Sequence, residues 1–187
     1  MKIIETEIPG VLLIEPQVFG DERGWFVETW QQQRYAEQGM PGPFVQDNQA
    51  FSQRGVLRGL HLQHPHGQGK LVQVISGEVF DVAVDVRRGS PCFGRWVGTI
   101  LSDKNRHQFY VPEGFAHGYC VLSDEAIFSY KCTDNYHPES QISIRWDDPD
   151  LGIDWPLAGV PILSDKDREA PCLHEISEDR LPPYRGE

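Results

Sequence analysis

Residues 71–87 read LVQVISGEVFDVAVDVR, two runs of apolar alternation on either side of Ser76-Gly77. Side chains on a strand point to opposite faces in turn, so Phe80, Val82, Val84 and Val86 share one face and Asp81, Ala83 and Asp85 the other. The pattern predicts a hairpin turning at Ser76-Gly77, and a face that mixes acids with alanine points to a polar cavity. Similar short extended runs lie to either side: 11–15 (stopped by Pro16), 25–29, 44–51, 95–101, 107–111, 118–122, 126–133 and 142–146. Residues 19–24 (FGDERG) read as a turn. The early segment 31–38 reads as a helix, with a capping-box pattern at Thr29 and Gln32 and a stop at Gly39. Many short strands at roughly 8–12-residue spacing, with little helix between them, predict an all-β sandwich or barrel. The last forty or so residues, rich in Asp, Pro and Glu, read as loops with a turn of helix, irregular from about 172.

The 187 residues fit one domain spanning 1–187. No apolar run approaches the ~20 residues of a membrane span, and the first residues lack the apolar stretch of a signal peptide, so the expected location is cytoplasmic. A net charge of −11 excludes a nucleic-acid surface, which needs a basic face. The four cysteines lack C-x-x-C spacing and read as small buried hydrophobes.

Cations and histidines gather just ahead of the alternating stretch, at 54–70 (RGVLRGLHLQHPHGQGK). Strict alternation there puts Arg58 and Leu60 on one face and Leu57, Gly59 and His61 on the other. His64-Pro-His66, Lys70 and Gly77, with the later run Pro112-Glu-Gly-Phe-Ala-His117, resemble the paired signatures of cupins, all-β jelly-roll barrels whose first motif binds a metal through histidines and a glutamate. Here Lys70 stands at the glutamate position. An ammonium opposes a dication, so the barrel resemblance holds and a metal is not expected.

A closer resemblance covers about residues 2–171. Asp21-Glu-Arg-Gly24, Gln46-Asp-Asn48, Gly55-Val-Leu-Arg-Gly-Leu-His61, Pro112-Glu-Gly-Phe-Ala-His-Gly118, Tyr130-Lys-Cys-Thr-Asp-Asn-Tyr136 and Leu163-Ser-Asp-Lys-Asp167 resemble, in order, the dTDP-4-dehydrorhamnose 3,5-epimerase family. The resemblance implies a cupin-type jelly-roll barrel with a few short helices, usually a homodimer, acting on a dTDP-4-keto-6-deoxyhexose in L-rhamnose synthesis without metal or cofactor. It implies that His61 is the base, paired with Asp167, and that Tyr130 is the acid. Arg23 and Arg58 match diphosphate contacts and Tyr136 a ring stacked on thymine. In this reading the Lys70 cation lies near the ketone oxygen and stabilises the developing enolate, His117 either shares that role or contacts the substrate, and Glu28, Gln46, Asp47, Asn48 and Lys166 match other substrate contacts. Gln141 stands where the family commonly has glutamate. The rival readings are a 3- or 5-epimerase or a 3,4-ketoisomerase of a related nucleotide sugar, a metal-dependent cupin enzyme, and a non-catalytic sugar-nucleotide binder.

Overall fold

The computed structural model describes residues 1–186. The strands are Lys2–Glu5 (β1), Leu12–Glu15 (β2), Val18–Asp21 (β3), Gly24–Val27 (β4), Gln46–Gln53 (β5), Leu57–Gln63 (β6), Lys70–Ser76 (β7), Glu78–Asp85 (β8), Trp96–Ser102 (β9), Gln108–Val111 (β10), Phe115–Val121 (β11), Glu125–Cys132 (β12) and Gln141–Ser143 (β13). Helices are confined to Gln32–Glu37 (α1), Asp165–Arg168 (α2) and three 3-10 turns. The strands form a six-stranded sheet, β1-β2-β10-β7-β12-β5, a five-stranded sheet, β13-β6-β11-β8-β9, and the separate hairpin β3-β4. All strand pairs are antiparallel, and the two larger sheets make the expected cupin-type jelly roll.

The alternation of β8 accounts for the layering. Ala83 joins Val79, Phe115 and Tyr119 from its own sheet against Val72, Val74, Phe109 and Phe128 from the other, making the core between the sheets. Val82, Val84 and Val86 face outward with Leu60 and Leu62, and there Ile144, Leu151, Leu173, Ile176 and Leu181 cover them. The C-terminal segment, irregular as expected, is thus the outer wall of the five-stranded sheet. Helix α1 supplies Tyr35 to a third cluster with Ile14, Leu71 and Tyr110 on the other sheet. Cys92, Cys120 and Cys132 are buried and unpaired, and Cys172 is half-buried. Among the described residues no helix is long and apolar enough to cross a membrane.

Four local expectations are corrected. Residues 71–87 do not form a hairpin: β7 pairs with β10 and β12, while β8 pairs with β9 and β11, so Ser76-Gly77 carries the chain from one sheet to the other. Only glycine fits this crossover, since φ at Gly77 is +87° and a Cβ would lie 2.2 Å from the Glu125 carbonyl oxygen. The capping box at Thr29 does not form. Gln31 caps α1 instead, its side chain accepting from the Arg34 N–H at 2.6 Å, while the Thr29 carbonyl accepts from the Tyr35 hydroxyl and the Gln108 amide. The strand expected from residue 25 forms as β4, but residues 19–24 are not all turn: 18–21 form β3, which pairs with β4 in a hairpin where Asp21 binds both the backbone and the side chain of Arg23 across the turn. Finally, residues 2–5, outside the extended runs expected from sequence, form β1, which pairs along the outer side of β2.

Candidate active site

A cavity of about 660 Å³ opens between the two sheets, walled by side chains of β5, β6, β7, β11, β12 and β13 and by residues 162–167. Its most consequential wall is β6 against β11. His117 pairs with His61 and Tyr119 with Arg58, so three steps along β6 match two along β11, and the register shifts between them. The extra residue breaks strict alternation and turns both Arg58 and His61 toward the cavity, while Leu60 stays in the outer core and Leu62 joins that core at the cavity's edge. The parity expected from sequence, with Arg58 and His61 on opposite faces, is corrected by this bulge. It is crowded: φ at Gly59 is +140°, and a Cβ there would sit 2.6 Å from the Cα of Gly118. Two glycines facing each other let the backbones meet.

The partner of His61 arrives from 106 residues away. Ile162 pairs with Val56 as an isolated parallel bridge, its carbonyl accepting from Leu57 N–H and its N–H donating to the Gly55 carbonyl. That docking brings Ser164 to the start of α2, where its hydroxyl accepts from the Asp167 N–H at 3.2 Å. Asp167, only 2% exposed, then lies with Oδ1 2.5 Å from His61 Nε2. Burial alone lifts the Asp167 carboxyl, but the hydrogen bond and charge of His61, helped by Ser164 and the Gly59 backbone, hold it below the ordinary carboxylate value. Burial pushes the His61 imidazole down; Asp167 opposes this, and Lys70 and Lys166 push the same way as burial. The result is a neutral ring at neutral pH, its proton held toward Asp167 on Nε2, leaving the Nδ1 lone pair free.

A second histidine–carboxylate pair lies beside the first. His117 Nε2 is 2.9 and 3.0 Å from the two oxygens of Asp81, which is fully buried on β8. Burial pushes the Asp81 carboxyl up, against the pull of His117 and Lys70. Lys70 lines the cavity with Nζ 3.5 Å from the His61 carbonyl oxygen, and burial lowers its ammonium pKa. Tyr130 enters from β12, and its phenol is pushed up by burial, so it stays protonated across the neutral range. Arg58 is held by Ser52 and the Phe51 carbonyl, and the Tyr119 and Phe128 rings stack at 4.1 Å as an apolar wall.

At the mouth, Gln46 accepts from the Tyr136 N–H at 2.8 Å, and the Tyr136 hydroxyl donates to Gln141 at 2.7 Å. The neutral Gln141 thus acts as an acceptor for Tyr136. Asn48, Gln141 and Lys166 also line the cavity. Arg23, Glu28 and Asp47 do not: they pair with Asp21, Arg34 and Lys131 outside it. His64 and His66, the histidines of the cupin-like motif, are likewise absent from its lining.

Residues 5–175 match the family model of dTDP-4-dehydrorhamnose 3,5-epimerase. The chain belongs to this epimerase family. The dTDP-4-dehydrorhamnose 3,5-epimerase of Methanothermobacter thermautotrophicus is 55% identical over 93% of this chain and 95% of its own length. That of Pseudomonas aeruginosa is 56% identical over 90% and 94%. Among solved structures, a dTDP-6-deoxy-D-glucose-3,5-epimerase from Legionella pneumophila, in complex with dTDP-4-keto-L-rhamnose, superimposes with a TM-score of 0.97 at 56% identity over 99% of both chains. Within this epimerase fold the expected set His61, Tyr130, Asp167, Arg58, Lys70 and His117 lines one cavity, with Gln46, Asn48, Tyr136, Gln141 and Lys166 around it. Sequence reasoning missed Asp81 as the partner of His117; its signal was the acid-bearing inner face of 79–87. It also missed Gln63 and Gln68, which line the cavity without any local motif.

Proposed function

We propose that this epimerase inverts C3 and C5 of dTDP-4-dehydro-6-deoxy-D-glucose to give dTDP-4-dehydro-L-rhamnose, in dTDP-L-rhamnose biosynthesis. The observation that carries the reading is the 2.5 Å His61–Asp167 pair, in a cavity that also holds Tyr130 and Lys70. Both carbons flank the 4-ketone, so each C–H is acidified by it. His61 Nδ1 takes the proton, the C–H electron pair becomes the enolate, and its charge gathers on the ketone oxygen. Asp167 stabilises the imidazolium that forms. Lys70 and the His117–Asp81 pair answer the oxygen's charge. Tyr130 returns a proton from the opposite face; it then regains one from solvent while His61 gives up to solvent the proton it took, so both are restored. Arg58 engages the diphosphate, Tyr136 stacks on thymine, and Gln46, Asn48, Gln141 and Lys166 hold the rest of the substrate.

The active unit in this reading is a cytoplasmic homodimer without nucleic-acid or membrane partners. Support comes from the β3-β4 hairpin, where Phe19, Trp25 and Phe26 are all more than half exposed around Arg23. An apolar hairpin of that kind seeks a partner surface. A second copy also gives Arg23 and Glu28 a route to substrate, since their own chain's cavity does not include them. The reaction needs no metal, because an ammonium stands where the cupin metal motif requires a carboxylate.

NMR of dTDP-4-dehydro-6-deoxy-D-glucose with the enzyme in D₂O tests the reaction. Deuterium at both C3 and C5 with inversion at each is expected. Label at one carbon alone identifies a single-centre epimerase, migration of the carbonyl identifies a ketoisomerase, and no label with the nucleotide bound identifies a binding module.

A further inference from the structure

One side-chain cluster outside the cavity carries chemistry that epimerisation does not use. His66 lies between β6 and β7, and Asp134 and His137 follow β12. One ligand atom from each lies within 4.8 Å of the others. His66 Nδ1 is 3.6 Å from Asp134 Oδ2, and the two imidazole rings stack at 4.0 Å between centroids, 17° from parallel.

The backbones beneath them are fastened by one buried amide. Gln63 is 4% exposed; its Nε2 donates to the carbonyls of His66 (2.7 Å) and Asn135 (3.2 Å), and its Oε1 accepts from the His137 N–H (2.9 Å). Every polar capacity of that side chain but one lone pair is spent on joining the two loops. His66 itself holds φ +64°, a left-handed conformation unusual for a residue other than glycine. Beyond the cluster, Glu139 Oε1 is 3.3 Å from His137 Nδ1. A carboxylate there keeps the proton on Nδ1 and leaves the Nε2 lone pair for a ligand bond, the outer-shell arrangement usual for metal-bound histidine.

We propose that His66, Asp134 and His137 bind one divalent transition cation of the zinc, cobalt and nickel class, beside the cavity and separate from the reaction. Two imidazoles and a carboxylate are the donor set these borderline ions take, with water in the open position. Bonds of about 2.0–2.2 Å set tetrahedral donors roughly 3.3 Å apart, so the three side chains close by no more than about 1.5 Å. All three are at least partly exposed, and side-chain rotation that fans the stacked rings supplies this movement. Asp134 and Glu139 balance the ion's charge. Tyr136 lies between Asp134 and His137 in the sequence and lines the cavity, so the ion secures the segment that carries the ring at the cavity mouth.

The test uses the full chain, stripped with chelator and desalted, titrated with Co²⁺ while its visible ligand-field bands are followed, and with Zn²⁺ by calorimetry. One ion per chain with intense, low-symmetry cobalt bands is expected. His66→Gln with His137→Gln abolishes it at unchanged melting temperature, Glu139→Gln weakens it about 10–100-fold, and His174→Ala leaves it intact. Failure to bind near one equivalent, or binding that survives in the double variant, overturns the proposal. Neither outcome depends on which sugar the enzyme turns over.

Discussion

His61 Nε2 and Asp167 Oδ1 lie 2.5 Å apart although 106 residues separate them, one on a strand of the barrel wall and the other on a one-turn helix docked over it. This contact sets both the tautomer and the basicity of His61, and from its proposed role as the base two measurable properties follow. His61→Asn lowers turnover by about 10²–10⁴-fold and removes deuterium uptake at both carbons, read by NMR on a variant with native circular dichroism. Undiminished exchange in the folded variant rules His61 out.

The pH profile has a definite sign. The base works when neutral, and its pKa lies below the ordinary 6.5 because burial outweighs Asp167. The acid limb of kcat/KM therefore falls below pH 6.5. Asp167 raises the His61 pKa, so Asp167→Asn moves that limb to still lower pH while reducing the plateau. A limb displaced upward contradicts the assignment.

Tyr130→Phe separates acid from base. Proton abstraction continues, so deuterium still enters, mostly with retained configuration, while inverted product falls by about 10²–10⁴-fold. A folded variant that epimerises at the native rate removes Tyr130 from the mechanism.

Activity survives exhaustive chelation. In the proposed reaction Lys70 stands where a cupin metal would need a carboxylate, and the ion proposed on His66 and His137 takes no part in proton transfer. Loss of turnover on chelation, regained with one particular metal, favours the metal-dependent cupin reading.

Gly59→Ala is destabilising. Its Cβ meets Gly118 at 2.6 Å in a backbone conformation that side chains rarely adopt, and strain of that kind costs about 1–3 kcal/mol. At roughly 2–4 °C per kcal/mol for a chain of this size, calorimetry reads a fall in melting temperature of several degrees. An unchanged transition shows that the bulge relaxes freely.

If the proposed homodimer is right, light scattering is expected to give two copies per particle, and Trp25→Ser with Phe26→Ser is expected to shift it toward one. A native monomer at working concentration dismisses the dimer and, with it, the route by which Arg23 reaches substrate.

Much of this architecture is local in origin. Alternation in 79–87 already separates Val82, Val84 and Val86 from Asp81 and Ala83, and that division became the outer core and the inner wall. The ordered motif strings carry the family, and with it more than half of the cavity's residues, because most strings hold two or three functional side chains a few positions apart on one strand or loop.

Relations between distant segments were decided only in three dimensions. Periodicity says which side chains share a face but not which strand lies alongside, so residues 71–87 read as a hairpin although burial is better served by sending β7 and β8 to opposite sheets. A bulge is invisible to alternation because it exists only relative to a partner strand, and it is what brings Arg58 and His61 to the same side. The His117–Asp81 pair, the docking of residues 162–167 on β6, and the meeting of His66 with Asp134 and His137 are likewise contacts between segments far apart in sequence. Their free energy comes from burial and pairing that no local window of residues contains.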